Sequence, residues 1–265
     1  MNKKVVKLLS ALAIVLISLC LGVIFIYQHA QVLDLKSTIS YQPIGSRTIR
    51  VAGLRATNFV SLKKIPTYVP EIILLCEDSS FFTHRGFDLG EMKNSINKFR
   101  RRGKKLRGAS TISQQLMKNV FFNQKRSFIR KFLEALYTIK LENNFSINEI
   151  LSLYLSNIQW GTEIYGISTA AKYYFNKNVS ELSLVDTAFL AAIIPNPVKY
   201  SESFHKKKFT PFMKNRITEI IHKLYQYQRI SSETEYLDEV DQFFVAFELD
   251  SSQTDEEIES DEDSD

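Results

Sequence analysis

The sequence predicts a mainly α protein with one N-terminal transmembrane helix, and three observations lead there. Several windows repeat apolar residues at intervals of three and four. There is no internal repeat and no regular series of alternating strands. An uncharged run of twenty residues, Leu8–Tyr27, stands ahead of everything else, long enough at 1.5 Å per residue to cross a hydrocarbon core of about 30 Å. The whole chain of 265 residues is 45% hydrophobic and 24% charged, enough to bury a core and to exclude disorder throughout.

Taken in order, the first element is the anchor. The apolar region of a cleavable signal peptide covers about 7 to 15 residues before a small-residue cleavage site, whereas this run continues into Phe25, Ile26 and Tyr27. Residues 1–36 are therefore read as a cytoplasmic N-terminus and a transmembrane anchor, with the helix at about 8–27. Lys3, Lys4 and Lys7 precede the helix and Gln28–Leu35 carries only His29 and Asp34, so the positive-inside bias places everything after Tyr27 outside the cytoplasm. Cys20 lies within the apolar helix, out of easy reach of Cys76, so the fold is expected to stand without a disulfide.

The body, 37–247, reads as a series of helices. Ile72, Ile73, Leu75 and Cys76 share a side of a helix ending near Ser80. A second follows Ser110, with Ile112, Leu116 and Val120 spaced by four and a capping signature in Thr111 and Gln114. A third runs from about Ser127 to Asn143 and is expected to bury Phe128, Ile129, Phe132, Leu133 and Leu136. The fourth starts at Ser146, with Glu149 completing a capping box, and continues to Gly161. The fifth, Leu184–Ile194, is stopped by Pro195 and Pro197, and more helix is expected over Pro211–Tyr227. Asn97–Gly108 holds seven basic residues and no acidic one, which predicts a mobile, solvated segment that orders when an anion arrives.

The last 18 residues, 248–265, hold ten of the 29 acidic residues and no Lys or Arg, so they read as a disordered acidic tail. Residues 1–247 then carry 34 basic against 19 acidic side chains, net +15 where the whole chain has +5. A body this basic beside a bilayer suits anionic headgroups or phosphate-bearing substrates; a merely soluble basic surface fits the charge equally well.

Three segments offer chemistry. Glu77 follows four apolar residues and a cysteine, a setting that raises a carboxyl pKa by desolvation and makes a usable general base; alternatively Glu77 and Asp78 are simply solvated at a helix end. In RGASTISQQLMKN, 107–119, Ser110 and Thr111 stand at a helix N-terminus whose free N–H groups favour an anion, and Gln114, Gln115 and Lys118 follow within a turn. Capping alone accounts for Thr111 and Gln114 but leaves Gln115 and Lys118 without a reason. Arg126 and Arg130 lie one turn apart, with Glu134 one turn further on. An exposed Arg130–Glu134 pair would contribute only about 0.3 to 0.5 kcal/mol; the functional reading makes Glu134 a second carboxylate ringed by cations. The four histidines show no metal-ligand spacing, so no metal site is expected. Ser61–Lys64 and Ser203–Lys206 match Ser-x-x-Lys, but no Lys-Thr-Gly or Ser-Asp-Asn accompanies them.

EDSSFFTHRGFD, RGASTISQQLMKN, RSFIRKFLEA, NEILSLYLSNIQWG and LSLVDTAFLAAIIPNP, in that order over Glu77–Pro197, resemble the five motifs of the peptidoglycan glycosyltransferases that polymerise lipid II. With no penicillin-binding domain following, the chain resembles the monofunctional biosynthetic peptidoglycan transglycosylases. The resemblance implies a lysozyme-like helical lobe with a small flexible jaw lobe near the membrane, at about 85–110. It implies Glu77 as the catalytic base acting on the acceptor 4-hydroxyl and Glu134 as the second essential carboxylate. Ser110, Gln115, Lys118 and Arg126 match positions near the donor pyrophosphate, supported by Arg130; Thr111 and Gln114 join them as candidates from their place at the helix start. Asp78, Phe81, His84, Gly86 and Asp88 match positions that shape the loop behind Glu77. Ser156 departs from the family's common asparagine.

The activity implied is polymerisation of lipid II into β-1,4-linked strands with release of undecaprenyl diphosphate, by one inverting displacement. No cofactor is required, with room for divalent-cation assistance. Partners are lipid II, the growing glycan strand, the membrane and other cell-wall synthesis proteins, not nucleic acid, which lacks any recognisable reading motif here. The implied location is the bacterial inner membrane, single-pass, with the catalytic domain outside. Two readings stay open beside this one: a muramidase using the same two carboxylates to cleave glycan, and an inactive scaffold of the cell-wall machinery.

Overall fold

The structure is a computed structural model and describes residues 3–42, 49–102, 110–122, 127–205 and 209–246. Arg126, the second half of the basic segment and the acidic tail lie outside the described residues.

The chain opens with α1, Lys3–His29, which encloses the predicted span and is long and apolar enough to cross a membrane. Leu12, Ile14, Ile17 and Leu19 along it are all exposed. A 3-10 turn, Gln31–Lys36, leads into an antiparallel pair, β1 (Ile39–Tyr41) and β2 (Arg50–Ala52), in register Ile39 to Ala52. Then come α2 (Tyr68–Glu77), α3 (Leu89–Arg102), α4 (Ile112–Phe121), α5 (Phe128–Asn144) and α6 (Ile147–Asn157). A second short pair, β3 (Gln159–Gly161) with β4 (Ile164–Tyr165), precedes α7 (Ile167–Phe175) and α8 (Leu184–Ile193). Two single turns, α9 (Pro197–Tyr200) and α10 (Glu202–His205), lead to α11 (Pro211–Gln226) and a last helix, α12, over 233–246.

The core forms around α8, where every residue from Val185 to Ile193 is buried. A helix apolar on all sides must be enclosed, and α2 and α11 pack on it. Its N-terminus is held by the Ser183–Asp186 capping box, with Asp186 also paired to Lys177 at 2.6 Å. α4 packs on α5 and α6, so the two candidate carboxylates, at the end of α2 and in α5, flank α4. Ser156 has its own role: its hydroxyl accepts from the Val60 N–H at 2.8 Å and donates to the Ser152 carbonyl, stitching α6 to the loop that follows β2.

Several expectations are corrected. α6 ends at Asn157, not Gly161, because Ile158 turns to extended backbone and Trp160 is buried in β3. Pro195 follows the end of α8, but Pro197 opens α9 at its first turn, where a missing N–H costs nothing. Phe128, Ile129 and Phe132 are exposed, at 97, 74 and 49%; Leu136 is buried as expected, on a covered face of α5 that also carries Glu134, Thr138 and Leu141. Apolar spacing defines a stripe on a helix without saying which stretch of it a neighbour covers.

The basic segment is helical in its first half, since α3 runs to Arg102. Leu89, Met92, Ile96 and Phe99, spaced by three and four, form one apolar and largely exposed face, and helical winding spreads the charges over the rest. α3, α7 and α12 went unanticipated, as did both strand pairs. Cys20 and Cys76 are both free thiols.

Candidate active site

The site is built from the end of α2 upward. Ile72 and Ile73 bury one face of α2, and the helix stops at Glu77 because Asp78 leaves helical backbone. The Asp78 carboxylate accepts from the Ile112 N–H at 2.9 Å and from His84 Nε2 at 2.8 Å. It thus occupies the N-terminus of α4, where unpaired N–H groups favour an anion. The Thr111 hydroxyl donates to the Gly86 carbonyl at 2.7 Å, closing the loop on the same helix start. Gly86 has φ +74°, and a Cβ there would lie 2.7 Å from the Thr138 methyl, so the loop is held flat against α5.

With both helix ends fastened, Gln115 reaches across, and its amide donates to Glu77 Oε2 at 3.0 Å. The fully buried Tyr154 donates its hydroxyl to the Gln115 carbonyl oxygen at 3.2 Å, which orients the amide so that its NH2 faces Glu77. Burial pushes the Glu77 carboxyl above its ordinary 4.5, opposed by the Gln115 hydrogen bond and by the charges of Arg216 and Lys118. Arg216 is fixed from α11 by donating to the Ala192 carbonyl at 2.9 Å.

Glu134 has a different setting. It is 2% exposed, with one oxygen paired to Arg130 Nη1 and the other to Lys131 Nζ at 3.2 Å. Lys118 faces this group; burial lowers its pKa from 10.5 and the Glu134 charge counteracts the shift. Arg130 Nε is buried without a partner. Lys118, Arg130 and Gln115 line a cavity of about 450 Å³ whose wall also includes Gln159 and Asn196. A smaller cavity of about 130 Å³ lies beside Glu77 and includes Ser110, Thr111, Asp88 and Glu91. One side of the site is thus acidic and the other basic.

The structure therefore brings Glu77, Ser110 and Gln115 together, and groups Lys118, Arg130 and Glu134. Thr111 and Gln114 are buried and form the capping box of α4, each accepting from the other's backbone N–H. The sequence alone does not mark Tyr154, Arg216, Gln159 and Asn196, because each reaches the site from another helix or from a loop; Lys131, on one face of α5 with Arg130 and Glu134, is where helical spacing puts it. The sequence also shows no metal pattern, whereas the fold sets ligand atoms of Asp78, His84 and Asp88 within 4.8 Å of one another. Their four carboxylate oxygens are already engaged, by Ile112 N–H, His84, Ser80 and Glu91 N–H. The cluster is a hydrogen-bonded bracket behind Glu77, each of its carboxylate oxygens accepting one bond.

A sequence model of the Transglycosylase family matches residues 46–225. The chain belongs to the transglycosylase family. Among its relatives, the biosynthetic peptidoglycan transglycosylase of Azoarcus sp. (strain BH72) is 39% identical over 153 residues, 58% of this chain and 66% of that protein. That of Shewanella oneidensis is 41% identical over 143 residues, 54% of this chain and 61% of the relative. Penicillin-binding protein 1A of Aquifex aeolicus is 34% identical over 216 residues, 78% of this chain but 30% of that protein. Each match spans less than two thirds of the relative's length. Every residue of this transglycosylase's candidate site, from Glu77 to Arg216, falls inside the matched span, and α1 falls outside it.

Proposed function

We propose that the chain is a membrane-anchored peptidoglycan glycosyltransferase that polymerises lipid II into β-1,4-linked glycan with release of undecaprenyl diphosphate. The observation that carries this reading is the pairing of a desolvated Glu77, hydrogen-bonded by a neutral amide, with a cavity lined by Lys118 and Arg130. Glu77 takes the proton of the acceptor 4-hydroxyl, whose oxygen attacks the donor's anomeric carbon. The bond from that carbon to the diphosphate breaks, its electron pair leaves with the diphosphate, and the α-linked donor becomes a β link.

Negative charge then grows on the leaving group, and the cations of Lys118 and Arg130, which line the cavity, stabilise it. A glycan hydrolase has no leaving diphosphate and no use for that cavity, which disfavours the muramidase reading. Glu134 acts as organiser, keeping Arg130 and Lys131 in place. Ser110, Gln115, Lys118 and Arg130 contact substrate, with Arg126 joining them from outside the described residues; Thr111 and Gln114 shape the helix start.

Related proteins named biosynthetic peptidoglycan transglycosylases support the substrate class. The lysines ahead of the uncharged run of α1 support a cytoplasmic N-terminus and a site outside the cell membrane. The exposed apolar face of α3, with basic residues around it, suits the membrane surface and the jaw lobe. Incubating the full chain in detergent with labelled lipid II, beside Glu77→Gln and Lys118→Ala, tests the proposal: polymer from the parent and none from either variant is expected. Full activity in Lys118→Ala would sink it.

A further inference from the structure

The junction between anchor and catalytic lobe is built around a buried lysine. Lys140, on α5, is 5% exposed, and its ammonium donates to the carbonyls of Tyr27 at 2.9 Å, Gln28 at 2.8 Å and Ala30 at 2.8 Å. An ammonium has three hydrogens, and all three are used. The acceptors belong to the last turn of α1 and the residue after it, where a helix leaves its carbonyls unpaired and its macrodipole negative.

The contact is reinforced on both sides. The Tyr27 ring lies 5.6 Å from the same ammonium, and Asn143 donates to the Tyr27 hydroxyl at 3.3 Å. Immediately after, Val32 and Leu35 are completely buried in the 3-10 turn that packs on α5, and the Leu35 carbonyl accepts from the Leu54 N–H at 2.8 Å. No flexible stretch separates anchor from lobe. A ten-residue flexible linker would allow an r.m.s. separation of about 17 Å; here the anchor's end is bonded to the helix that carries Arg130 and Glu134, with Glu134 about 9 Å from Lys140 along its axis.

We infer that Lys140 clamps the catalytic lobe to the end of the anchor helix and is the positioning residue that holds the basic cavity at one height and direction relative to the bilayer. This rests on the proposed use of a lipid-linked donor. Such a donor keeps its hydrocarbon in the membrane and its diphosphate at the surface, so a lobe free to tilt meets it less often. A donor dissolved in water imposes no such geometry.

The test uses the full chain in lipid vesicles with two substrates: lipid II embedded in the same bilayer, and a water-soluble analogue with a short isoprenoid chain. Lys140→Met should lower kcat/KM for embedded lipid II about tenfold or more while leaving the soluble analogue within about twofold. Lys140→Arg keeps the charge but cannot converge on three carbonyls in the same way, and should show the same contrast at about threefold; it serves if the Met variant does not fold. Spin labels at Cys20 and at a Lys172→Cys site, in a Cys76→Ser background that leaves no third thiol, read the geometry directly. A narrow distance distribution in the parent should broaden in both variants. Equal loss on both substrates, no loss on either, or a distribution as narrow as the parent's overturns the inference. Failure of the parent to polymerise either substrate would count against the proposed function alone, because the distance measurement judges the clamp without it.

Discussion

Glu77, half-buried, and Glu134, buried, are both carboxylates beside α4, and they are held in opposite ways. Glu77 receives a hydrogen bond from a neutral amide and sits in a cavity with other acids, so burial raises its proton affinity. Glu134 lies between Arg130 and Lys131, and its charge is answered on both oxygens. Identical side chains acquire different chemistry from what the fold places against them: one is poised to take a proton, the other to keep cations in place.

The largest expected effect is at Glu77. Glu77→Gln should reduce polymerisation by about 10³-fold or more, within the range that a general base contributes, with Tm unchanged or higher, because a carboxylate whose charge is disfavoured by burial has been removed; product gels and calorimetry check both halves. Next, Lys118→Ala should lower kcat about 10² to 10³-fold, as for loss of one donor to a developing oxyanion. Glu134→Ala should act on stability as well as rate. With Lys131 half exposed the cost lies between those of exposed and buried pairs, about 2 kcal/mol, and denaturant melts should show it where Glu77→Gln shows none.

The pH profile sharpens the same contrast. Glu77 must be ionised to act and its pKa is raised, so the acid limb of kcat/KM should lie above the ordinary 4.5. Lys118 must be protonated and its pKa is lowered, so the alkaline limb should lie below 10.5. Glu77→Gln should abolish the activity that shows the first limb, and the second should disappear in Lys118→Met if residual turnover is measurable. The smallest effect is expected from Tyr154→Phe: losing one hydrogen bond to Gln115, worth about 0.5 to 1.5 kcal/mol, should slow turnover about three- to tenfold.

Much of the local structure was legible. Thr111 with Gln114 and Ser146 with Glu149 announced two helix starts, and both capping boxes are present. Arg130 and Glu134, one turn apart, were readable as a pair because helical spacing places them so. Tyr154 was not readable as a partner of Gln115, 39 residues away, nor was Arg216 as a charge near Glu77, since such contacts depend on helix packing that leaves no local trace. Phe128 and Ile129 show the reverse failure: their apolar character promised burial that no neighbour among the described residues supplies.

By itself the sequence determined the apolar first helix, the starts of the principal helices and the order of charged groups along them, because these follow from interactions within a few residues. Only the tertiary structure decided that one glutamate meets an amide and the other two cations, and that Lys140 closes on the carbonyls at the end of α1, more than a hundred residues before it. Desolvation and pairing are properties of a position in space, and they exist only once distant segments have packed.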